Sequence, residues 1–428
     1  MGDYCDLGDM YQRLEAAGHE VRVYVDSATA QDIYAGMLTF TQDWRQDLPW
    51  IRAAGEDGIV LFESASMGEL QDRLRAEGYQ VIGGSGFGDR LENDRIFGQE
   101  VLHSIGLRTL ASTHYTDFGD AIEFVRGTRA RYVYKSNVCD AYCTRNYVGE
   151  FEDGSDMIAL LSLYRSQWQG PDRPDFVLMQ HVTGVEVGVG AYFNGTSFLK
   201  PACLDWEHKR LFPGDLGELT GEMGTIVTYR GAELIFEATL TRLADQLRAS
   251  QYCGYINLNL IANEQGLWPL EITSRFGYPG YLICQALHKE PWEQIFGKLL
   301  RKNDIEVATM DGFAAGVVLS VPPFPYPYGY AELSKGAPVS FSTTITGDDY
   351  NHLHLAEVAM QAGQLVASGT TGYVGVVTGT GTSITQAQDN AYALARKVVV
   401  PNLRYRMDIG DRLIRQDLAQ LQQLGYLA

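Results

Sequence analysis

Cysteine is scarce in this chain: six residues in 428, at positions 5, 139, 143, 203, 253 and 284, with no C-x-x-C pair among them. That spacing excludes a disulfide scaffold and a paired-cysteine zinc site, and points to a reducing compartment. Positive charge is short as well. Lys and Arg total 34 against 53 Asp and Glu, a formal net charge of −19, which argues against a general nucleic-acid or anionic-membrane binder. No apolar run approaches the roughly 18 residues of a membrane span. The opening MGDYCDLGDMYQ is acidic and does not read as a secretory signal. The Walker phosphate loop is missing. The bare Gly84-Ser85-Gly86 match lacks the full nucleophile-elbow spacing, so serine-hydrolase chemistry receives little support. What remains is a cytoplasmic-type protein with 45% hydrophobic and 20% charged residues, able to bury more than one core. Glycine, 46 residues, stands above its usual share of about 7% and announces many turns and close backbone approaches.

Along the chain, MYQRLEAAGHE (10–20) and MGELQDRLRAEGY (67–79) read as helices, and VRVYV (21–25), GIVLFE (58–63) and VIGG (81–84) as strands. This βα alternation implies a small parallel sheet, although residues 1–9 are too polar to supply the strand expected before the first helix. A helix over 89–106 leads into GLRTLAST. From about 130 the pattern turns to strands and hairpins: RYVYK, DFVLMQHV, EVGVGAYF and SFLKPACL, with Asn194-Gly195 as a hairpin turn. A long amphipathic helix is expected over 233–250, then two facing strands, YINLNLIA (255–262) and LWPLEIT (267–273). PPFPYPYGY (322–330) is too proline-rich for a central strand, and helices over 384–399 and 411–424 close the chain.

The facing strands carry the strongest local signal. Alternation puts Asn257 and Asn259 on one face of the first strand, and Glu271 and Thr273 on one face of the second. In matching register these four make a hard-oxygen surface of the kind that holds Mg²⁺ when phosphates complete the shell. Arg275, in the glycine-rich SRFGYPG turn that follows, suits an anion beside such a metal. Asp205-Trp206-Glu207-His208-Lys209-Arg210, followed by GDLG and TGEMGT, reads either as a phosphate cradle with Lys209 or Arg210 as counter-charge or as a surface loop. Lys135, ending a strand, is a further phosphate candidate. His352 and His354 read as structural, and Cys139 and Cys143 as unremarkable thiols.

In this order the segments GLRTLAS, Lys135, VLMQHVTGVEVGVGAYFNG, EHKR…GDLG…TGEMG, PLEITSRFGYPG and AYALARKV…YRMDIG resemble the ATP-grasp superfamily and, within it, the phosphoribosylamine–glycine ligase family. The resemblance implies an α/β and α+β ATP-grasp fold in three parts: an amino-terminal α/β domain (1–107), a nucleotide-binding unit (108–303, lid about 112–183) and a carboxy-terminal α+β domain (304–428). It implies ATP and Mg²⁺ (or Mn²⁺) as cofactors. Arg95, Lys135 and Lys209 would hold phosphates; Met179, Gln180 and Val182 would form the adenine hinge, and Glu186 would take the ribose hydroxyls. Glu271, Thr273 and Asn257 would hold the metal, and Arg275 with Lys209 would serve the reacting acyl phosphate. The implied reaction joins glycine to phosphoribosylamine in purine biosynthesis, releasing ADP and phosphate. The alternatives are a ligase for another acid or amine in a specialised pathway, or a non-catalytic ATP-binding protein. Small-molecule substrates, no nucleic acid, no membrane, and a monomer or homodimer are expected. Departures from the family pattern fall at the amino-terminal glycine-rich loop, at Glu218-Leu219, at Thr371-Gly372-Tyr373, at Thr273 where Asn is usual, and in the glycine-poor segment after Lys135. The 136–149 loop is expected to gain protection from hydrogen exchange when ATP and Mg²⁺ are added, and equal protection in both states would contradict this.

Overall fold

A computed structural model describes residues 1–137, 146–168 and 173–427. Cys139, Cys143 and most of the expected 136–149 loop lie outside the described residues. No helix among the described residues is long and apolar enough to cross a membrane.

The amino-terminal part is a parallel α/β unit in which β1 (Ile59–Leu61) pairs with β2 (Gln80–Ile82). The polar start does supply a strand position, contrary to expectation. The Met1 amine donates to the Leu61 carbonyl (2.7 Å), and Gly2 N–H donates to the Tyr24 carbonyl (3.2 Å). A parallel ladder needs backbone groups rather than apolar side chains, and Gly2 lies so close to the Glu63 side chain that a Cβ would overlap it. The expected strand over 21–25 is reduced to single bridges, Val25 with Gly2 and Val23 with Phe40.

A second antiparallel sheet, in spatial order β3-β6-β4-β5, is built from β3 (Ser112–Tyr115), β4 (Tyr132–Ser136), β5 (Tyr147–Val148) and β6 (Phe176–Gln180). Its own core of Phe118, Val125, Tyr134, Met157, Leu161 and Phe176 lies under helices Phe118–Thr128 and Ser155–Gln167.

The largest sheet contains β7 (Val185–Asn194), β8 (Cys203–Glu207), β11 (Gly224–Thr228), β12 (Cys253–Asn263), β13 (Gly266–Thr273), β14 (Phe313–Ser320), β16 (Leu353–Leu355) and β19 (Tyr373–Gly381). The order is β13-β12-β7-β8-β11-β14-β19-β16, antiparallel throughout. Strands from beyond residue 303 therefore continue the same sheet that carries the facing pair β12–β13. Three short pairs decorate it: β9 (Arg210–Phe212) with β10 (Leu216–Leu219), β15 (Ser340–Phe341) with β20 (Val398–Val399), and β17 (Val358–Gln361) with β18 (Gln364–Ala367).

The single helix expected over 233–250 is broken into Glu233–Ala238, a tight turn at Leu240–Leu243, and Ala244–Ala249. Thr239 makes the break. It is fully buried, and its hydroxyl donates back to the Ile235 carbonyl (2.5 Å), which competes with continuation of the helix. The helix expected over 384–399 is shorter, Ile384–Ala395, and stops ahead of β20, while the one expected over 411–424 forms with a π-turn at Leu413–Asp417.

The amino-terminal unit meets the main sheet where Gly83 N–H donates to the Cys253 carbonyl (2.7 Å) and Gly254 faces the Gly83 carbonyl. A Cβ at Gly254 would lie 2.2 Å from that backbone oxygen, which no side-chain motion relieves. Gly254→Ala is expected to cost on the order of 2 kcal/mol or more in urea unfolding, and a loss below a few tenths would show that this contact yields freely.

Candidate functional site

The ladder of β12 and β13 has the register that strand alternation requires: Asn257 faces Thr273, and Asn259 faces Glu271. Next to β12, strand β7 presents Gly190 opposite Asn257 and Gly188 opposite Asn259, and then β8 presents Asp205 opposite Gly188. The two glycines leave the floor bare, and side chains from both flanking strands lean over it. A Cβ on Gly188 would fall 2.1 Å from the Asp205 carboxylate, and one on Gly190 would fall on the Tyr255 hydroxyl.

At one end of this floor, Lys209 Nζ sits among three carboxylates: Glu271 at 2.9 Å, Glu207 at 3.1 Å and Glu186 at 3.3 Å. Glu271 also receives Lys135 Nζ from β4 at 3.3 Å and the Arg95 guanidinium at 3.7 Å. Lys135 and Lys209 hold the Glu271 carboxyl well below its ordinary range, against the effect of burial. Burial works against the charge on Lys209, but Glu271, Glu207 and Glu186 outweigh it and raise its pKa well above the ordinary value. Lys135 is shifted down by burial, only partly offset by Glu271. Asn259 donates to Glu186 (3.0 Å) and Glu207 (3.3 Å), while its amide oxygen is buried with no partner.

The expected site residues are thus unevenly gathered. Arg95, Lys135, Glu186, Lys209 and Glu271 meet in one network. Met179 is buried and lines a narrow cleft with Arg95, Leu270 and Glu271. Gln180 is exposed, and its N–H is committed to the Ala111 carbonyl (2.9 Å); Val182 lies just beyond the end of β6. Asn257 and Thr273 lie one ladder position along, where the Asn257 amide donates to Asp205 (2.6 Å). Arg275 turns away from Glu271 and pairs with Glu92 at 3.0 Å. Arg210 is drawn off as well, donating to the Gly217 carbonyl of its own loop (2.7 Å). His354 is fully buried between Asp9 (3.0 Å) and Thr378 (3.2 Å), a structural tie.

Sequence reading placed Asn259 on the metal-facing surface and named Asp205, Glu207 and Glu222 only as members of the candidate phosphate cradle, with no individual roles. The available signal was period two: Asp205 and Glu207 share a face of β8 beside the alternating glycines of VGVG. Beyond Lys209 the floor becomes acidic. Burial, reinforced by Glu207, pushes the Asp205 carboxyl well above its ordinary pKa and raises that of Glu222 to about 8. Glu222, in the loop between β10 and β11, bonds to the Thr225 hydroxyl, and its backbone carbonyl accepts from Tyr373 Oη (2.9 Å).

Among the described residues, no three His, Cys, Asp or Glu side chains are placed to hold a metal ion by themselves. A cation here therefore depends on a carboxylate with amide, hydroxyl and phosphate oxygens. Glu271 and the unpartnered Asn259 oxygen belong to that hard class, and they fit Mg²⁺.

The pH dependence of stability has a defined sign. A carboxyl raised on folding contributes fully below its unfolded pKa and loses that contribution as pH rises through the folded one. Glu222→Gln is therefore expected to stabilise the free protein at pH 8, by on the order of 2 kcal/mol, and to have little effect at pH 4. Equal effects at both pH values in thermal unfolding would contradict this.

Comparison with known proteins agrees with this architecture. Residues 93–281 match the family model for phosphoribosylglycinamide synthetase, ATP-grasp (A) domain, and residues 314–412 match the phosphoribosylglycinamide synthetase C domain. A phosphoribosylamine–glycine ligase of Mesorhizobium japonicum is 26% identical over 400 residues, covering 90% of this chain and 88% of the relative. One from Nostoc sp. is 26% identical over 356 residues, covering 80% and 81%. The crystal structure of phosphoribosylamine–glycine ligase from Thermotoga maritima superposes with a TM-score of 0.72 at 22% identity, covering 95% of this chain and 98% of that one. The biotin carboxylase of Campylobacter jejuni gives 0.60 at 11% identity, covering 98% and 97%.

Proposed function

Because the chain belongs to the phosphoribosylglycinamide synthetase family of ATP-grasp proteins, with two domain matches that together span well over half of it, we propose that it is an ATP-dependent carboxylate–amine ligase. In this reading it joins glycine to phosphoribosylamine through an acyl phosphate, releasing ADP and phosphate. The observation that carries the reading is the convergence of Lys209, Lys135 and Arg95 on Glu271 at the edge of the cleft.

Three cations brought together from separate segments fit a polyphosphate whose negative charge is redistributed during transfer. Lys135 and Lys209 serve the phosphates, Glu186 the ribose, and Met179 one wall of the base pocket. Of the hinge residues Gln180 and Val182, the first has its N–H engaged in the sheet, so reading of the base edge falls to Val182. Mg²⁺ (or Mn²⁺) would be held by Glu271 with Thr273 and either amide, Asn259 being favoured over Asn257 by its unpartnered oxygen. When bound, the metal supplies charge neutralisation at the transferring phosphoryl group. Arg275, anchored by Glu92 and facing Asp6, belongs to the acceptor side rather than to the phosphates.

A second reading, with a different amine as acceptor in a specialised pathway, is favoured by one feature. The turn at residues 5–8, where family members carry a glycine-rich loop, places Asp6 near Arg275 and Glu63, an acidic surrounding that disfavours a phosphate.

ADP release with ATP and Mg²⁺ is expected to require both glycine and an amine. Glu271→Gln should lower that turnover at least 100-fold while leaving nucleotide binding measurable. ADP release that ignores both substrates, or an unimpaired Glu271→Gln protein, would overturn the reading. Freshly generated phosphoribosylamine against other amines decides between the two acceptors.

A further inference from the structure

The last two helices of the amino-terminal unit, Gly86–Asn93 and Arg95–Ser104, lie along β13 and grip it at three heights. The Gln99 amide donates to the Leu270 carbonyl (3.1 Å), Arg95 reaches Glu271 (3.7 Å), and Glu92 takes the two residues that follow the strand. One Glu92 oxygen accepts the Ser274 N–H (2.8 Å) and the other accepts the Arg275 Nε–H (3.0 Å). The approach is close. The Ser274 hydroxyl, on a residue 1% exposed, donates to the Gly88 carbonyl (2.7 Å). A Cβ on Gly88 would lie 2.8 Å from the Tyr252 ring and 3.3 Å from Ser274 Cβ. Glu92 therefore projects from a helix that is packed directly on the strand exit.

Gln99 and Arg95 hold the strand itself, whereas Glu92 holds a side chain that is still available for something else. Arg275 keeps 30% of its side chain exposed, against 17% for Glu92. Its bond to Glu92 runs through Nε, and among the described residues its two terminal nitrogens have no hydrogen-bond partner. A carboxylate at Nε fixes where the flat guanidinium stands and leaves free the terminal edge with its parallel N–H groups. That edge is the geometry that receives a carboxylate through both oxygens. The bond to Ser274 N–H steadies the Glu92 carboxyl in turn, so support runs from helix to acid to guanidinium. Arg275 comes two residues after Thr273, the end of the row shared with Glu271, and leads away from the three cations gathered on Glu271.

We propose that Glu92 is a positioning residue for the ligation: it holds Arg275 by Nε so that the terminal nitrogens meet the carboxylate of the acid substrate. The inference rests on the ligase reading above. Glu92 touches no reacting atom. It acts through Arg275 and ties that residue to the docking of the amino-terminal unit, so the anion site is complete only when that unit is seated on β13. Charge alone would argue the other way. A carboxylate beside Arg275 weakens the attraction of the guanidinium for an anion, and orientation must outweigh that loss.

The test uses the full chain with ATP, Mg²⁺, glycine and hydroxylamine, which captures the acyl phosphate as a hydroxamate whatever amine the protein takes. Glu92→Gln keeps the size of the side chain but offers one acceptor oxygen to two donors. It is expected to lower kcat/KM for glycine roughly 30-fold, mainly through KM, and to leave KM for ATP within about twofold. Glu92→Asp, with both oxygens on a shorter stem, should recover part of the loss. Arg275→Lys should be impaired by itself. Combined with Glu92→Gln, the two losses should fall well short of additive, since each removes the same presented pair of nitrogens. Equal loss for ATP and glycine, with a lower urea midpoint, would make Glu92 a structural tie and overturn the proposal. So would additive losses in the double variant, or a Glu92→Gln protein that binds glycine more tightly, the result expected of a counter-charge alone. Absence of hydroxamate with the unmodified protein would instead remove the ligase reading, and this role with it.

Discussion

A half-buried ammonium group ringed by three carboxylates is the arrangement on which the rest of the site is hung. Lys209 cannot lose water without Glu186, Glu207 and Glu271, and those carboxylates cannot be gathered on one sheet face without Lys209. Lys135 and Arg95 complete the balance from the smaller sheet and from the helix at Arg95–Ser104. Three cations against three anions let the cleft stay folded with no nucleotide present. In the function proposed above, an incoming polyphosphate would exchange partners with the glutamates instead of assembling the cations from solution, so the charges would be oriented before they are needed.

The carboxy-terminal strands are part of this machinery. Because β14 and β19 extend the main sheet from β11, the start of β19 delivers Tyr373 to the Glu222 backbone carbonyl. The late YRMDIG segment clamps the loop that follows Lys209. Arg406, almost wholly buried, pairs with Asp215 and Asp408, and Asp408 in turn accepts the Gly214 N–H. The position of Lys209 is therefore set from both ends of its loop, one end in β8 and the other held by residues nearly two hundred positions away.

Much of this was legible in the sequence where a short-range rule governs it. Strand alternation alone put Asn257, Asn259, Glu271 and Thr273 on one surface, and the register bears this out. Family resemblance singled out Lys135, Lys209, Arg95 and Glu186, which do meet. What stayed hidden depends on long-range placement. That Arg275 turns to Glu92 follows from where the amino-terminal unit docks, and that Glu222 sits against Tyr373 follows from strands donated by the last third of the chain. The break at Thr239 is of the same kind, since a buried hydroxyl outcompetes a helical pattern only once its surroundings are known. The backbone pairing of Met1 and Gly2 escaped notice because hydropathy does not register contacts made by the backbone.

The bare glycines of β7 have one more implication. Gly188 and Gly190 hold open the space that Asp205 and Tyr255 occupy, so three strands share a single interlocking floor. A substitution at either glycine collides with a side chain contributed by a flanking strand, Asp205 at Gly188 and Tyr255 at Gly190. Such a floor cannot be altered one position at a time. Over evolutionary descent the two glycines and the Asp205 and Tyr255 side chains that close over them would be inherited or replaced together.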